Sequence, residues 1–338
     1  MAKLTRILSI DGGGIRGIIP GQVLLSLERK LKEREGNQDA RIADFFDLVA
    51  GTSTGGILTC VYLCPDFNGN PTRPRFSAEE AVDLYLKRGQ QIFDASLSQR
   101  IRALGGLLDE RYSARELEKA LKNYFGELRL SELLKPCLVT AYDIKRRRAK
   151  FFNQLDAKEK KMHDYLVRDI ARATSAEPTF FEAKMMKSLT NVPYPVIGGG
   201  IFANNPTLCA YAEARQKFDS KPTAIDMAIL SIGTGYIKKQ YSYRKAKDWG
   251  ALSWIRPIMD ILMSAVSETV DYQVSQVFDS VGRSEQYLRV NHDLLYASPD
   301  MDDTSTENLA ALQQDGTSIA EKFDSQLDSF ADLLVAAR

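Results

Sequence analysis

Gly51-Thr52-Ser53-Thr54-Gly55 follows an apolar run at residues 45–50 and leads into Gly56-Ile57-Leu58-Thr59. A buried strand that enters G-x-S-x-G and leaves into an apolar helix is typical of a nucleophile elbow. The glycines permit a sharp turn that pushes the serine hydroxyl out of the sheet. At the helix N-terminus, free N–H groups and the helix dipole favour developing negative charge. This stretch therefore predicts an α/β fold that presents Ser53 as a nucleophile.

The rest of the chain alternates strand patterns with helix patterns, which indicates a mostly parallel sheet with helices on both faces. Strands are predicted at residues 7–10, 45–50, 137–142, 149–152 and 228–232, and helices at 20–35, 163–173, 255–280 and 305–337. There is no internal repeat and no linker long enough to separate two domains. We expect one domain over residues 1–300, with a C-terminal helical extension over 301–338 packed on it.

The composition of the 338 residues is that of a globular protein, with 44% hydrophobic and 26% charged residues. A net charge of +1 gives no global attraction to nucleic acid or to an acidic membrane. The first residues lack the apolar region of a signal peptide, and no apolar run is long enough to span a bilayer. We expect a cytoplasmic protein whose four cysteines are reduced and which touches membranes only while acting.

A glycine-rich loop, Asp11-Gly12-Gly13-Gly14-Ile15-Arg16-Gly17, follows the first predicted strand. Its G-x-G-x-x-G spacing also fits a dinucleotide fingerprint, but that interpretation needs an acidic residue at the end of the next strand. The next predicted strand leads to Ser53 and not to an acidic residue. Consecutive glycine N–H groups form a nest for an oxyanion, which suits a serine enzyme. Arg16 is interpreted as holding the loop, with a contact to substrate phosphate as the alternative.

A serine hydroxyl needs a group that accepts its proton. The chain has two histidines, His163 and His292, and neither lies at a predicted strand end or beside a turn motif. A Ser-His-Asp triad is therefore disfavoured, and a carboxylate is expected as the base. Asp11 and Asp47 are near the predicted site, but their places in the loop and the strand favour structural roles.

Several segments in order resemble the patatin-like phospholipase family: the glycine loop, Gly51 to Gly55, and Ala203-Asn204-Asn205-Pro206. Further similar segments are 142–144, 172–178 and 231–235, so the likeness covers roughly residues 5–290. The resemblance implies a three-layer α/β/α fold and a Ser-Asp dyad that releases acyl chains from lipids. It also implies that the oxyanion hole is formed by Gly12, Gly13, Gly14, Ile15 and Arg16, with Gly51, Gly55, Gly199 and Gly200 as supporting motif residues.

One position departs from the family pattern. The aspartate of the dyad is expected five residues before Ala203, where this chain has Gly198. We interpret this as a deliberate Asp→Gly change in an active parent, with a natural pseudoenzyme as the alternative. Losing one member of a serine constellation lowers turnover by roughly four orders of magnitude, so the chain as written is expected to be impaired.

The resemblance leads to a phospholipase A-type acyl hydrolase that acts on membrane phospholipids and requires no metal or other cofactor. We expect a bacterial-type member, with a cyclic nucleotide activator, a role in antiviral defence and a homodimer as further expectations. Two other functions stay open: an acyltransferase, and a catalytically dead module that binds lipid or nucleotide.

Other segments have a functional and a structural interpretation each. Phe151-Phe152 and Phe180-Phe181 suit an acyl channel or the core, and the basic run at 145–148 suits phosphate binding or a solvated turn. The apolar face at residues 258–266 is predicted to be buried, with a lipid-facing lip or a dimer seam as alternatives. The break at Gly105-Gly106 is a candidate lid hinge or a plain loop.

Overall fold

The computed structural model describes residues 4–93, 114–178, 180–236 and 240–337. Its centre is one sheet of 8 strands. The strands are β1 (Thr5–Ile10), β2 (Leu48–Gly51), β3 (Cys137–Asp143), β4 (Arg148–Asn153), β5 (Lys184–Lys187), β6 (Pro193–Gly198), β7 (Met227–Ile232) and β8 (Tyr287–Val290).

The strand order is β5-β6-β3-β2-β1-β7-β8, and β4 also pairs with β3. The neighbouring strands β3, β2, β1, β7 and β8 pair in parallel. Strands β4 and β6 pair with β3 in the antiparallel direction, and β5 pairs with β6 in the same way. Ile10 lies opposite both Gly51 and Ile232, so the carboxyl ends of β1, β2 and β7 meet at one edge. Ligand sites of open parallel sheets form at this kind of edge.

Helices cover both faces of the sheet, which gives the predicted three-layer α/β/α architecture. They are α1 (Ile18–Glu35), α2 (Thr54–Tyr62), α3 (Ala78–Phe93), α4 (Ala114–Phe125), α5 (Gln154–Glu159), α6 (Val167–Thr174), α7 (Gly200–Ala203), α8 (Thr207–Lys217), α9 (Tyr243–Ala246), α10 (Ala251–Ser280), α11 (Thr306–Lys322) and α12 (Asp324–Ala336). No helix within the described ranges is long and apolar enough to cross a membrane.

Alternation of side chains along the strands explains the two cores. Leu8 and Val49 belong to a core shared with α1 and α2, whereas their neighbours Ile7 and Leu48 pack with residues of α8 and α10 on the opposite face. Because both faces are covered, the central strands are apolar along their whole length, as is usual for parallel sheets.

The C-terminal extension packs against α1. Gly316 of α11 lies so close to this helix that a Cβ there would come within 2.8 Å of the Gln22 side chain. Lys30 of α1 forms salt bridges with Asp324 and Asp328 of α12 at 2.7 and 3.0 Å. The extension therefore completes the helical layer on that face.

The principal predicted strands and helices are present, although some of their bounds differ. The run at 45–50 becomes a strand only from Leu48 onward, because Phe45 and Phe46 are buried in the turn before it. Strands β5, β6 and β8 were not predicted. The basic run at 145–148 is the turn of the β3–β4 hairpin, where Arg146 pairs with Asp143 at 2.8 Å. The predicted break at Gly105-Gly106 lies outside the described residues.

Candidate active site

The turn between β2 and α2 has the geometry of a nucleophile elbow. Ser53 has φ 52° and ψ −119°, a left-handed backbone conformation that residues other than glycine rarely adopt. A Cβ on Gly51 would come within 2.1 Å of the Gly55 carbonyl oxygen, and one on Gly55 within 2.1 Å of the Ile10 carbonyl oxygen. Glycine is thus required on either side of Ser53 for the turn to close.

The elbow is held by hydrogen bonds to neighbouring elements. The Ser53 N–H donates to Thr174 Oγ1 at 2.8 Å, at the end of α6. Thr52 Oγ1 lies 2.7 Å from Thr140 Oγ1 of β3 and donates to the Ala203 carbonyl at 2.5 Å. Such bonds over-determine the strained serine, which is how strain persists at functional sites.

The glycine loop leaves two backbone N–H groups for a ligand. The N–H of Gly12 donates to the Asn204 carbonyl at 3.1 Å, that of Ile15 to Met301 at 2.9 Å, and that of Arg16 to Gly13 at 3.3 Å. Within the described residues we find no acceptor for the N–H of Gly13 or Gly14. Of the five residues predicted for the oxyanion hole, only these two line the cleft that contains Ser53.

Close packing explains why the loop contains glycine. A Cβ on Gly13 would meet Thr234 Oγ1 at 2.2 Å, and Gly14, at φ +61°, would meet the Met301 carbonyl oxygen at 2.2 Å. Thr234 also donates to the Gly12 carbonyl at 3.0 Å. The loop is therefore fixed against the segment after β7 and the segment before α11.

Arg16 has the structural role predicted for it. Its side chain is buried and Nε donates to the Gly13 carbonyl at 3.3 Å. Burial lowers the pKa of this guanidinium to about 10. The residue therefore braces the glycine loop from within, and it does not line the cleft.

The predicted structural roles of the two nearby aspartates agree with their ion pairs. Asp11 accepts from the Arg289 guanidinium at 2.9 and 2.6 Å in the protein interior, and it raises the pKa of Arg289. Asp47 accepts from Arg6 at 3.0 and 2.8 Å. Neither carboxylate lines the Ser53 cleft, and neither do His163 and His292.

The cleft at Ser53 is open to solvent and has an empty volume of about 790 Å³, its mouth included. Most of its wall is apolar, and its polar lining residues include Ser53, Ser175 and Glu177. It is lined by Gly13, Gly14, Ser53, Thr54, Ile57, Leu84, Tyr85, Leu117, Ala120, Leu121, Tyr124, Ser175, Glu177, Phe180, Phe181, Met263 and Met301. Phe180 and Phe181 therefore suit the predicted acyl channel, whereas Phe152 is buried in the core.

Helix α10 contributes one apolar side chain to this cleft and leaves other apolar side chains exposed. Met263 is buried and lines it, but Ile258, Ile261 and Leu262 are 41%, 37% and 39% exposed. The expectation that this face is buried is therefore wrong for these three residues. The helix has more apolar positions than the core can cover, and the surplus faces outward.

Gly198 lies at the end of β6, where its N–H donates to the Ala176 carbonyl at 2.8 Å. A Cβ on Gly198 would come within 2.1 Å of Glu177 Oε2, and one on Gly200 within 1.9 Å of Glu177 Oε1. A Cβ on Gly199 would instead meet Thr140 Oγ1 at 2.1 Å. The Glu177 carboxylate thus occupies the space in front of Gly198 and Gly200.

Glu177 was not among the predicted site residues. It is only 6% exposed, and burial raises the pKa of its carboxyl to about 7. The Gly200 N–H approaches the carboxylate and partly offsets this effect of burial on the pKa. Even so, neither carboxylate oxygen has hydrogen-bond geometry with any group of the described chain.

The chain matches one family of known proteins over more than half of its length. Residues 8–211 match the family model described as patatin-like phospholipase. Patatin-like protein 3 of Arabidopsis thaliana is 35% identical over 95% of this chain and 81% of its own length. Patatin-like protein 2 of Oryza sativa subsp. indica is 34% identical over 96% and 86%, and Patatin-17 of Solanum cardiophyllum is 31% identical over 99% and 90%.

Proposed function

The chain belongs to the patatin-like phospholipase family, and we propose on that premise that it is a serine acyl hydrolase acting on membrane phospholipids. Ser53 is the proposed nucleophile, and the N–H groups of Gly13 and Gly14 are the proposed oxyanion donors. The predictions of a bacterial-type member, a cyclic nucleotide activator, antiviral defence and a homodimer stay predictions.

The observation that carries this proposal is the strained Ser53 at the elbow, in one cleft with two N–H groups that have no acceptor within the described residues. Attack of the Ser53 hydroxyl on an ester carbonyl places negative charge on the carbonyl oxygen. Two N–H groups held in place by the fold stabilise that charge with less reorganisation than water needs. Release of the alcohol leaves an acyl-serine, which water then hydrolyses.

The cleft wall supports a long acyl chain as the group that is released. Leu84, Leu117 and Phe181 give an apolar surface along which methylene groups can lie out of water. On α10, Ile258, Ile261 and Leu262 are exposed, and the same helix contributes Met263 to the cleft. We propose that these three side chains enter the outer layer of a bilayer while a phospholipid is bound.

The base is the part of the site that the family pattern does not supply. With Gly198 at the position expected for the dyad aspartate, the sequence predicts a chain whose turnover is lowered by roughly four orders of magnitude. That prediction assumes that no other carboxylate reaches the Ser53 proton.

The proposed function is tested with vesicles of phosphatidylcholine that carry a fluorescent acyl chain. We expect release of the labelled fatty acid by the chain as given, and loss of release in Ser53→Ala. Ser264→Ala, which removes an exposed hydroxyl from α10, serves as the matched control. A fluorophosphonate probe should label the protein at Ser53, as located by mass spectrometry.

Release of fatty acid by Ser53→Ala at the rate of the unchanged chain would contradict the proposed function. So would a protein that neither hydrolyses vesicles nor reacts with the probe, with or without cyclic nucleotides. Transfer of the label to an added alcohol in preference to water would indicate an acyltransferase instead.

A further inference from the structure

We propose that Glu177 is the general base for Ser53, in the space that the family resemblance assigns to an aspartate at position 198. The inference rests on the proposed function, since it names the group that accepts the proton in that reaction. It stands on three observations: where the carboxylate lies, how its loop is held, and what surrounds it.

The first observation is the overlap of the two carboxylate positions. A Cβ on residue 198 would lie 2.1 Å from Glu177 Oε2. An aspartate extends its carboxyl carbon only about 1.5 Å beyond its Cβ. The Glu177 carboxylate therefore lies in the volume that an aspartate side chain at position 198 would fill, although it arrives from another segment.

The second observation is that the Glu177 segment is tied to both sides of the site. Ala176 accepts the N–H of Gly198 at 2.8 Å, and the Glu177 carbonyl accepts the N–H groups of Phe180 and Phe181 at 3.1 Å each. Thr174, three residues before Glu177, accepts the N–H of Ser53 at 2.8 Å. One short segment thus connects the serine, the end of β6 and the carboxylate.

The third observation is the surroundings of the carboxylate. Glu177 and Ser53 line the same cleft, and both carboxylate oxygens lack a hydrogen-bond partner among the described residues. A buried polar group without a partner is costly, so its retention calls for a reason. A proton acceptor must keep a lone pair free for its substrate, which explains an unpaired oxygen in this cleft.

Burial raises the pKa of the Glu177 carboxyl to about 7, which suits a general base. General bases are most effective when their pKa lies near the working pH. The described elements around the carboxylate also carry two tyrosines and two charged groups that pair with other residues. They are Tyr85 on α3, Tyr124 on α4, Arg172 on α6, which pairs with Glu118 and Glu182, and Asp260 on α10, which accepts from Tyr241.

The proposed step balances without any further reactant. Glu177 takes the proton of Ser53 Oγ as Oγ bonds to the ester carbonyl carbon, and the Gly13 and Gly14 N–H groups hold the oxyanion. The tetrahedral intermediate collapses, the ester C–O bond breaks, and the same proton passes to the leaving alcohol. Water then repeats the sequence on the acyl-serine, with Glu177 accepting its proton, and fatty acid and free Ser53 result.

The test compares the chain as given with four variants on a soluble nitrophenyl ester across pH 5 to 9. Glu177→Gln keeps the size of the side chain and removes its basicity, and Ser53→Ala removes the nucleophile. Glu177→Ala combined with Gly198→Asp moves the carboxylate back to position 198. Glu321→Gln, on the exposed face of α11, is the control for loss of one carboxylate.

We expect Glu177→Gln to lower kcat by about 100-fold or more and to abolish the fall in kcat/KM below pH 7. Glu321→Gln should behave as the unchanged chain, and the double variant should recover activity above that of Glu177→Gln. A residue with a merely structural role would not remove the dependence of kcat/KM on pH.

The outcomes that overturn the inference are distinct from those that overturn the proposed function. Full activity and an unchanged pH profile in Glu177→Gln, with Ser53→Ala inactive, would remove Glu177 as the base and leave the hydrolase intact. Activity found only in the double variant would show that Glu177 does not work from its own position. Inactivity of every protein, the double variant included, would remove both proposals.

Discussion

Replacing Glu177 by glutamine should make the protein more stable at neutral pH, although the same change should lower its activity. Glutamine fits the same space beside Gly198 and Gly200 and carries no charge. The buried carboxylate has no hydrogen-bond partner within the described residues, so its ionised form is poorly solvated. Stability given up for a functional group is a common feature of active sites.

The size and the sign of the effect follow from the pKa of the carboxyl. Burial raises it from 4.5 to about 7, and each pH unit corresponds to about 1.4 kcal/mol, so the effect is about 3 kcal/mol. The folded protein binds the proton more tightly than the unfolded chain does. The free energy of unfolding therefore falls as pH rises from 4.5 to 7, and this contribution is constant above pH 7.

The assay is urea unfolding of the chain as given and of Glu177→Gln at half-unit steps from pH 4 to 8.5. Contributions of the other carboxylates cancel in the difference between the two proteins. We expect this difference to favour the variant by about 3 kcal/mol more at pH 8 than at pH 4. A difference that is constant with pH would refute a buried Glu177 with a raised pKa, and so would one of opposite sign.

Three further predictions concern other parts of the structure. Arg289→Met should lower the free energy of unfolding by about 3–5 kcal/mol, because it leaves the carboxyl of Asp11 buried without its partner. A urea midpoint close to that of the unchanged chain would contradict this. In urea unfolding, Ser53→Gly should be about 1 kcal/mol more stable than Ser53→Ala, because glycine relieves the backbone strain at φ 52°. Equal stability of the two variants would show that the elbow is unstrained. Ile261→Ser should weaken sedimentation with phosphatidylcholine vesicles about fivefold without changing hydrolysis of a soluble ester. Ile225→Ser, at an exposed position in the turn before β7, should change neither. Equal weakening by both would contradict docking through α10.

The fold could be predicted because its central elements have strong local signals. The strand before Ser53 is apolar on both faces, and the glycines at 51 and 55 admit only one kind of turn. The same holds for β1 and β7, each of which ends in a glycine motif at the carboxyl edge of the sheet. Where the local sequence pattern and the tertiary contacts favour the same element, the sequence alone is sufficient to predict that element.

Elements that depend on tertiary contacts could not be predicted. Strand β5 has the sequence Lys-Met-Met-Lys, and it exists because it pairs with β6 at the sheet edge. Strand β8 follows a helix of 30 residues and pairs with β7 far along the chain. The exposure of Ile261 is similar, since an apolar helical face by itself does not show what covers it.

For the candidate site, the sequence has motifs for a nucleophile and an oxyanion loop but no motif for a base. Ser53 and the glycine loop carry motifs, but selecting two of the five oxyanion residues required hydrogen bonds that are formed with Asn204 and Met301. Glu177 lies in the segment 172–178, which resembles the family but carries no motif for a base. The only local feature of Glu177 is a carboxylate between Ala176 and Pro178 near the end of a helix. That pattern does not show that the side chain reaches the space beside position 198.

The two unusual features of the site explain each other. An aspartate at position 198 would place a second carboxylate within the space of Glu177, and two carboxylates so close together cannot both ionise at neutral pH. A parent that carried both of these carboxylates would have to expel one of them or keep one protonated. Gly198 and Glu177 together avoid this conflict, whereas a single deliberate change at position 198 would leave Glu177 unexplained. On the proposed role of Glu177, the carboxylate that serves Ser53 comes from the segment after α6 and not from the end of β6.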